Sequence, residues 1–84
     1  MDEEKVTVIF NIIKRKFTVD LEIPLDISAN DLVNALNIGY DLKIDTSNIR
    51  NCYLKSENPI ALLKGNKTLM EFGVRNGTVI YFTE

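Results

Sequence analysis

The chain has no histidine and no tryptophan, one cysteine, two prolines and four glycines. Each shortage closes off a class of chemistry. Without histidine there is no imidazole to act as general base, and the lone thiol has no such partner to lower its pKa for nucleophilic attack. One cysteine permits no intramolecular disulfide and no cysteine pair for zinc or an iron–sulfur cluster. The apolar company of Tyr53 and Leu54 assigns Cys52 instead to a reduced, buried place in a core. The glycines are scattered, so no Gly-rich phosphate loop is present. Asp41 and Asp45 lie close together, but two acids near a helix end read as solvated dipole partners rather than a general acid/base pair. No catalytic residue, cofactor site or metal site is expected.

Long hydrophobic runs are also missing. Nothing approaches the ~18 apolar residues of a membrane span. The stretch from Val6 to Ile13 is broken by Thr7 and Asn11 and preceded by acidic residues, unlike a secretory leader. These absences predict a cytoplasmic protein without direct membrane insertion. Positive charge is in short supply too: the net charge is −2 and the pI about 5.1, which argues against nucleic acid as a partner. The one basic cluster, Lys14-Arg15-Lys16, reads as an exposed hairpin tip, and Asp2-Glu3-Glu4 as a solvated end.

What is present is enough for one small domain. With 45% hydrophobic and 26% charged residues over 84 positions, residues 1–84 are expected to form a single unit. Such a unit buries roughly 60 to 65% of its unfolded surface. Val6, Val8, Phe10 and Ile12 alternate with Thr7, Ile9, Asn11 and Ile13; Phe17, Val19, Leu21 and Ile23 alternate with Thr18, Asp20 and Glu22. This period of two on both sides of the basic tip predicts a half-buried hairpin, ended by Pro24. Ser28 followed by Asp31 and by Leu32, Val33, Leu36 and Tyr40 predicts a capped helix of about three turns, with Gly39 at or near its end. A third strand is expected from Ile49 to Leu54 and a short fourth from Ile60 to Leu63, with the turn at Glu57-Asn58-Pro59. Thr68 to Phe72 reads as a short helical turn capped by Thr68, and Gly77 as the reversal into a final strand, Val79 to Phe82.

That order resembles the ubiquitin-like β-grasp, an α+β fold with a mixed sheet of four to five strands and one main helix packed across it. Thr68-Leu69, Phe72, Val74, Gly77 and Val79-Ile80-Tyr81 are similar to the segment that plugs the open end of the grasp before the last strand. Within the superfamily the chain most resembles the YukD/EsaB family, tailless ubiquitin-like proteins of type VII (ESX, WXG100) secretion systems of Gram-positive bacteria. The likeness rests on total length, a hairpin starting near Met1, the Gly73-Val74-Arg75-Asn76-Gly77-Thr78 step, and a stop directly behind the last strand. With Glu84 there, no Gly-Gly tail for conjugation or sulfur transfer is expected. The resemblance implies a cytosolic accessory or regulatory component that binds protein partners of the secretion machinery, without catalysis. A ubiquitin-like adaptor of the UBX or Ras-binding type, or a domain of a larger membrane protein, is the alternative.

Ubiquitin-like folds commonly bind through the exposed face of the sheet. If Val79 and Tyr81 face inward, Ile80 and Phe82 face out; if Cys52 and Leu54 face inward, Tyr53 faces out. Together with Ile9 and Ile13 these side chains make the expected interaction face: Ile9, Ile13, Tyr53, Ile80 and Phe82.

Overall fold

The computed structural model describes residues 4–83, so Asp2, Glu3 and Glu84, on which two of the expectations fall, lie outside the described residues. Strands β1 (Lys5–Ile12) and β2 (Phe17–Pro24) form the expected antiparallel hairpin. Its register pairs Val8 with Leu21, Phe10 with Val19 and Ile12 with Phe17, so the two apolar sets share one face. Val8, Phe10 and Ile12 are completely buried, whereas their partners Leu21, Val19 and Phe17 are less so, because β2 is an edge of the sheet and has a neighbour on one side only. The tip is a single 3₁₀ turn, Ile13–Arg15, closed by Lys16 in the left-handed region at φ 52°. Ile13 therefore leaves the strand and sits on the tip, still 44% exposed.

Helix α1 (Ala29–Tyr40) begins where the cap predicts: the Asp31 amide donates to Ser28 Oγ at 3.1 Å. It runs through Gly39 and stops at Asp41, whose left-handed backbone returns its N–H to the Asn37 carbonyl. Ala29, Leu32, Val33 and Leu36 are buried against the sheet. At its far end the Tyr40 ring lies 5.3 Å from that of Phe10 and 5.7 Å from that of Phe17, centroid to centroid. Arg15 caps this end, its two terminal nitrogens donating to the carbonyls of Tyr40 and Asp41, each at 2.6 Å. A cation there offsets the negative pole of the helix. The basic tip is thus exposed as expected and also ties the hairpin to the helix.

The third strand lies later than the sequence suggests. Ile49–Asn51 is a 3₁₀ turn, and β3 is Leu54–Glu57, followed by β4 (Ala61–Leu63) across a turn with a cis Asn58-Pro59 bond. Ser56 is buried in the middle of β3, where a polar residue argues against a strand. Its hydroxyl is satisfied by donating to the Pro59 carbonyl at 2.8 Å, which removes the desolvation cost. Strand β5 (Val79–Phe82) enters the centre of the sheet, parallel to β1 and antiparallel to β3, giving the order β2-β1-β5-β3-β4.

The segment before β5 closes the core. Leu69 is fully buried, and its backbone is fixed by Leu69 N to Ile27 O (3.0 Å) and Val74 N to Leu69 O (3.1 Å). Thr68 and Glu71 cap each other: the Glu71 amide donates to Thr68 Oγ1, and the Thr68 amide to Glu71 Oε1, each at 3.2 Å. The segment is a run of turns rather than a regular helix. Gly77, at φ 89°, makes the reversal, and its amide donates to the Thr7 carbonyl at 3.0 Å.

Candidate protein-interaction face

Side-by-side partners in a sheet point to the same face. Because Ile80 pairs with Phe10 on one side and Ser56 on the other, all three lie on the core face. The expected phase of the last strand is therefore reversed. Ile80 is 0% exposed and belongs to the core, and Phe82 lies on the same side, half-buried against it. Val79 and Tyr81 take the outer face instead. Ile9 and Tyr53 are half-exposed, and Cys52 and Leu54 are buried, as the parity of those segments predicts.

The outer face has two readable rows. Asp20, Ile9, Val79 and Glu57 are successive neighbours across β2, β1, β5 and β3; Thr18, Asn11, Tyr81, Lys55 and Leu62 run across all five strands. Ile9, Val79, Tyr81 and Leu62 thus supply apolar surface bordered by Asp20 and Glu57. Covering about 100 Å² of such surface is worth about 2.5 kcal/mol before association costs.

At the hairpin-tip end this face runs into an open cleft of about 450 Å³. The β3–β5 pairing stops at Lys55↔Tyr81, while β1 and β5 stay paired to Ile12↔Phe82. Beyond Lys55 the chain leaves β5, and Leu42, Leu54 and Phe82 form an apolar floor. Tyr53, Tyr81 and Ile44 wall it, and Arg15, Lys43, Lys55 and Asp45 place charge around it. Asn37 holds the Ile44 wall from α1, its Nδ2 donating to the Ile44 carbonyl (3.1 Å) and its Oδ1 accepting from the Ile44 amide (2.9 Å). Asp45 is turned onto its own loop, where the hydroxyl and amide of Ser47 donate to it and hold its pKa below the usual carboxylate range.

Of the expected face, the structure brings Tyr53 and Phe82 together in this cleft, leaves Ile9 on the adjoining sheet, puts Ile13 on the tip, and removes Ile80 to the core. Val79, Tyr81, Leu62, Lys43 and Lys55 were missed. The register of β5 against β1 finds the first two; the others depend on where the loop before β3 runs. Among the described residues no three His, Cys, Asp or Glu side chains are grouped to hold a metal ion, and no helix is long and apolar enough to cross a membrane.

One helix across a mixed five-stranded sheet with this strand order, a grasp plugged by Leu69, makes the chain a ubiquitin-like protein. It belongs to the YukD family: the model described as "WXG100 protein secretion system (Wss), protein YukD" matches residues 5–82. Solved structures confirm the fold at low sequence identity. The C-terminal ubiquitin-like domain of mouse tubulin-specific chaperone e is similar with a TM-score of 0.75 at 14% identity, covering 99% of this chain and 89% of that one. A ubiquitin-like domain from tubulin-binding cofactor B has a TM-score of 0.75 at 20% identity, covering 99% and 92%. No curated protein matches the chain in sequence.

Proposed function

We propose that the chain acts as a single ubiquitin-like domain in the cytoplasm, a non-enzymatic accessory or regulatory component of a type VII secretion system. It works by non-covalent capture of a protein partner on the outer sheet face. Membership of a secretion-system family supports the setting. The observation that carries the mode of action is the apolar pair Ile9 and Val79, adjacent at the centre of the outer face with acidic neighbours on both sides. Central apolar anchors ringed by polar residues are the usual anatomy of a binding surface.

Ile9→Lys with Val79→Lys tests this. Each new lysine stands beside an existing acid, Asp20 or Glu57, which offsets the repulsion between the two lysines placed side by side, so the sheet keeps its fold. Affinity-tagged wild-type chain should co-purify with detergent-solubilised secretion machinery of its host, and the double variant should lose at least 90% of that recovery while its circular dichroism spectrum is unchanged. Equal recovery by the folded variant would refute the assignment of this face.

A further inference from the structure

The cleft at the tip end of the sheet has a charge balance opposite to that of the chain. The whole sequence carries a net charge of −2, yet among the described residues the cleft is lined by three cations, Arg15, Lys43 and Lys55, and one acid, Asp45. The acid faces its own loop through Ser47. Arg15 is held against the Tyr40 and Asp41 carbonyls, so the negative pole of α1, which would otherwise repel an anion at this edge, is offset by a fixed guanidinium. Among the described residues the ammonium groups of Lys43 and Lys55 have no hydrogen-bond or ion-pair partner. Between these charges lies apolar surface, Phe82 with the half-buried Ile44, Tyr53 and Tyr81 above the buried Leu54, opened by the parting of β3 from β5.

We infer that this cleft receives an acidic linear segment of a partner protein, seating one aliphatic or aromatic side chain on Phe82 between Tyr53 and Ile44 and a carboxylate between Lys43 and Lys55. The inference rests on the reading of the chain as a protein-binding module and names the chemistry of a second contact beside the Ile9 and Val79 face. The volume of about 450 Å³ falls in the ~300–1,000 Å³ range of sites that hold compact ligands. An inorganic anion would use the cations and gain nothing from the floor; a basic segment would use the floor and be repelled by the rim. A lipid surface calls for a broader basic patch than three cations on a net acidic chain.

The test is a titration of ¹⁵N-labelled chain followed by amide shifts, with three probes. They are a pool of hexapeptides mixing Asp and Glu with Leu, Ile and Phe; the same pool with Lys and Arg in place of the acids; and inorganic phosphate. The acidic pool should move the amides of residues 42–45, 53–55 and 81–83 saturably, phosphate and the basic pool should not, and 0.5 M NaCl should weaken the effect. Lys43→Glu with Lys55→Glu, checked for a dispersed spectrum, should reduce apparent affinity for the acidic pool at least tenfold and admit the basic pool. The inference is overturned by equal shifts with phosphate, by preference for the basic pool in the wild type, by the absence of shifts at those residues, or by concentration-dependent shifts without any probe, which would make a second copy's acidic end the occupant. Neither Ile9 nor Val79 lines the cleft. Failure here with the Ile9/Val79 variant still losing the machinery sinks only the cleft, whereas retention by that variant sinks the broader reading.

Discussion

Replacing Leu69 with alanine should cost this domain a large share of its stability, and the structure sets the size. Leu69 is 0% exposed, and its backbone bonds to Ile27 and Val74 do not involve the side chain, so they survive the change. What is lost is the transfer energy of the removed carbons plus the cavity they leave. Leucine-to-alanine changes in cores cost about 2–5 kcal/mol, more where the surroundings cannot collapse. Here they are pinned: Met70 N donates to Leu25 O at 3.0 Å and Ala29 N to Lys67 O at 2.9 Å, lacing the plug to the start of α1. The upper part of that range is therefore expected, about 3–4 kcal/mol. At about 4–8 °C per kcal/mol for a domain of this size, the melting temperature falls by at least ~12 °C. Urea denaturation followed by circular dichroism gives the same quantity as a shifted midpoint with unchanged slope. A loss below about 1 kcal/mol would mean that the site collapses freely or that Leu69 is not a plug.

The phase of β5 makes a paired prediction: Ile80→Ala should cost about 2–5 kcal/mol, whereas Val79→Thr should stay within about 1 kcal/mol, and equal or reversed costs in denaturant melts would restore the opposite parity. Cys52, a buried free thiol, should react with a thiol reagent orders of magnitude more slowly in buffer than in 6 M guanidinium; equal rates would place it on the surface. The Thr68 amide and then its hydroxyl hold the Glu71 pKa below the usual glutamate value. A lowered folded-state pKa contributes stability above the unfolded value and loses it as pH falls through the folded one. The stability gap between wild type and Glu71→Gln should therefore shrink between pH 7 and pH 3, and a gap that widens on acidification would contradict this.

Much of the fold was legible because its patterns were unambiguous. The hairpin face from Val8 to Ile12 and the capped helix from Ser28 rest on alternation and on a cap that only one reading satisfies. The last strand offered no such phase, since Val79, Ile80, Tyr81 and Phe82 are all apolar. Only the register Phe10↔Ile80, a contact between the two ends of the chain, decides which pair faces in. The third strand was misplaced for a related reason. Lys55 and Glu57 are outer-face residues and Ser56 is a polar core residue satisfied by a carbonyl from the following turn, so a real strand carries almost no apolar signal. The expected binding face inherited these errors. It kept Ile9 and Tyr53, whose phases were set locally, and took in Ile80, whose phase was not. The cleft lay beyond sequence reasoning because it depends on where the β3–β5 ladder stops and on where the loop from Leu42 to Asp45 is held by Asn37.

If this domain serves secretion through the outer face of its sheet, as proposed, secretion itself is the quantity to measure. In a host whose own copy is replaced by the Ile9→Lys, Val79→Lys variant, expressed at wild-type level and folded, WXG100 substrates should fail to appear in the medium while accumulating inside the cell. Export at the wild-type rate from that strain would contradict the account.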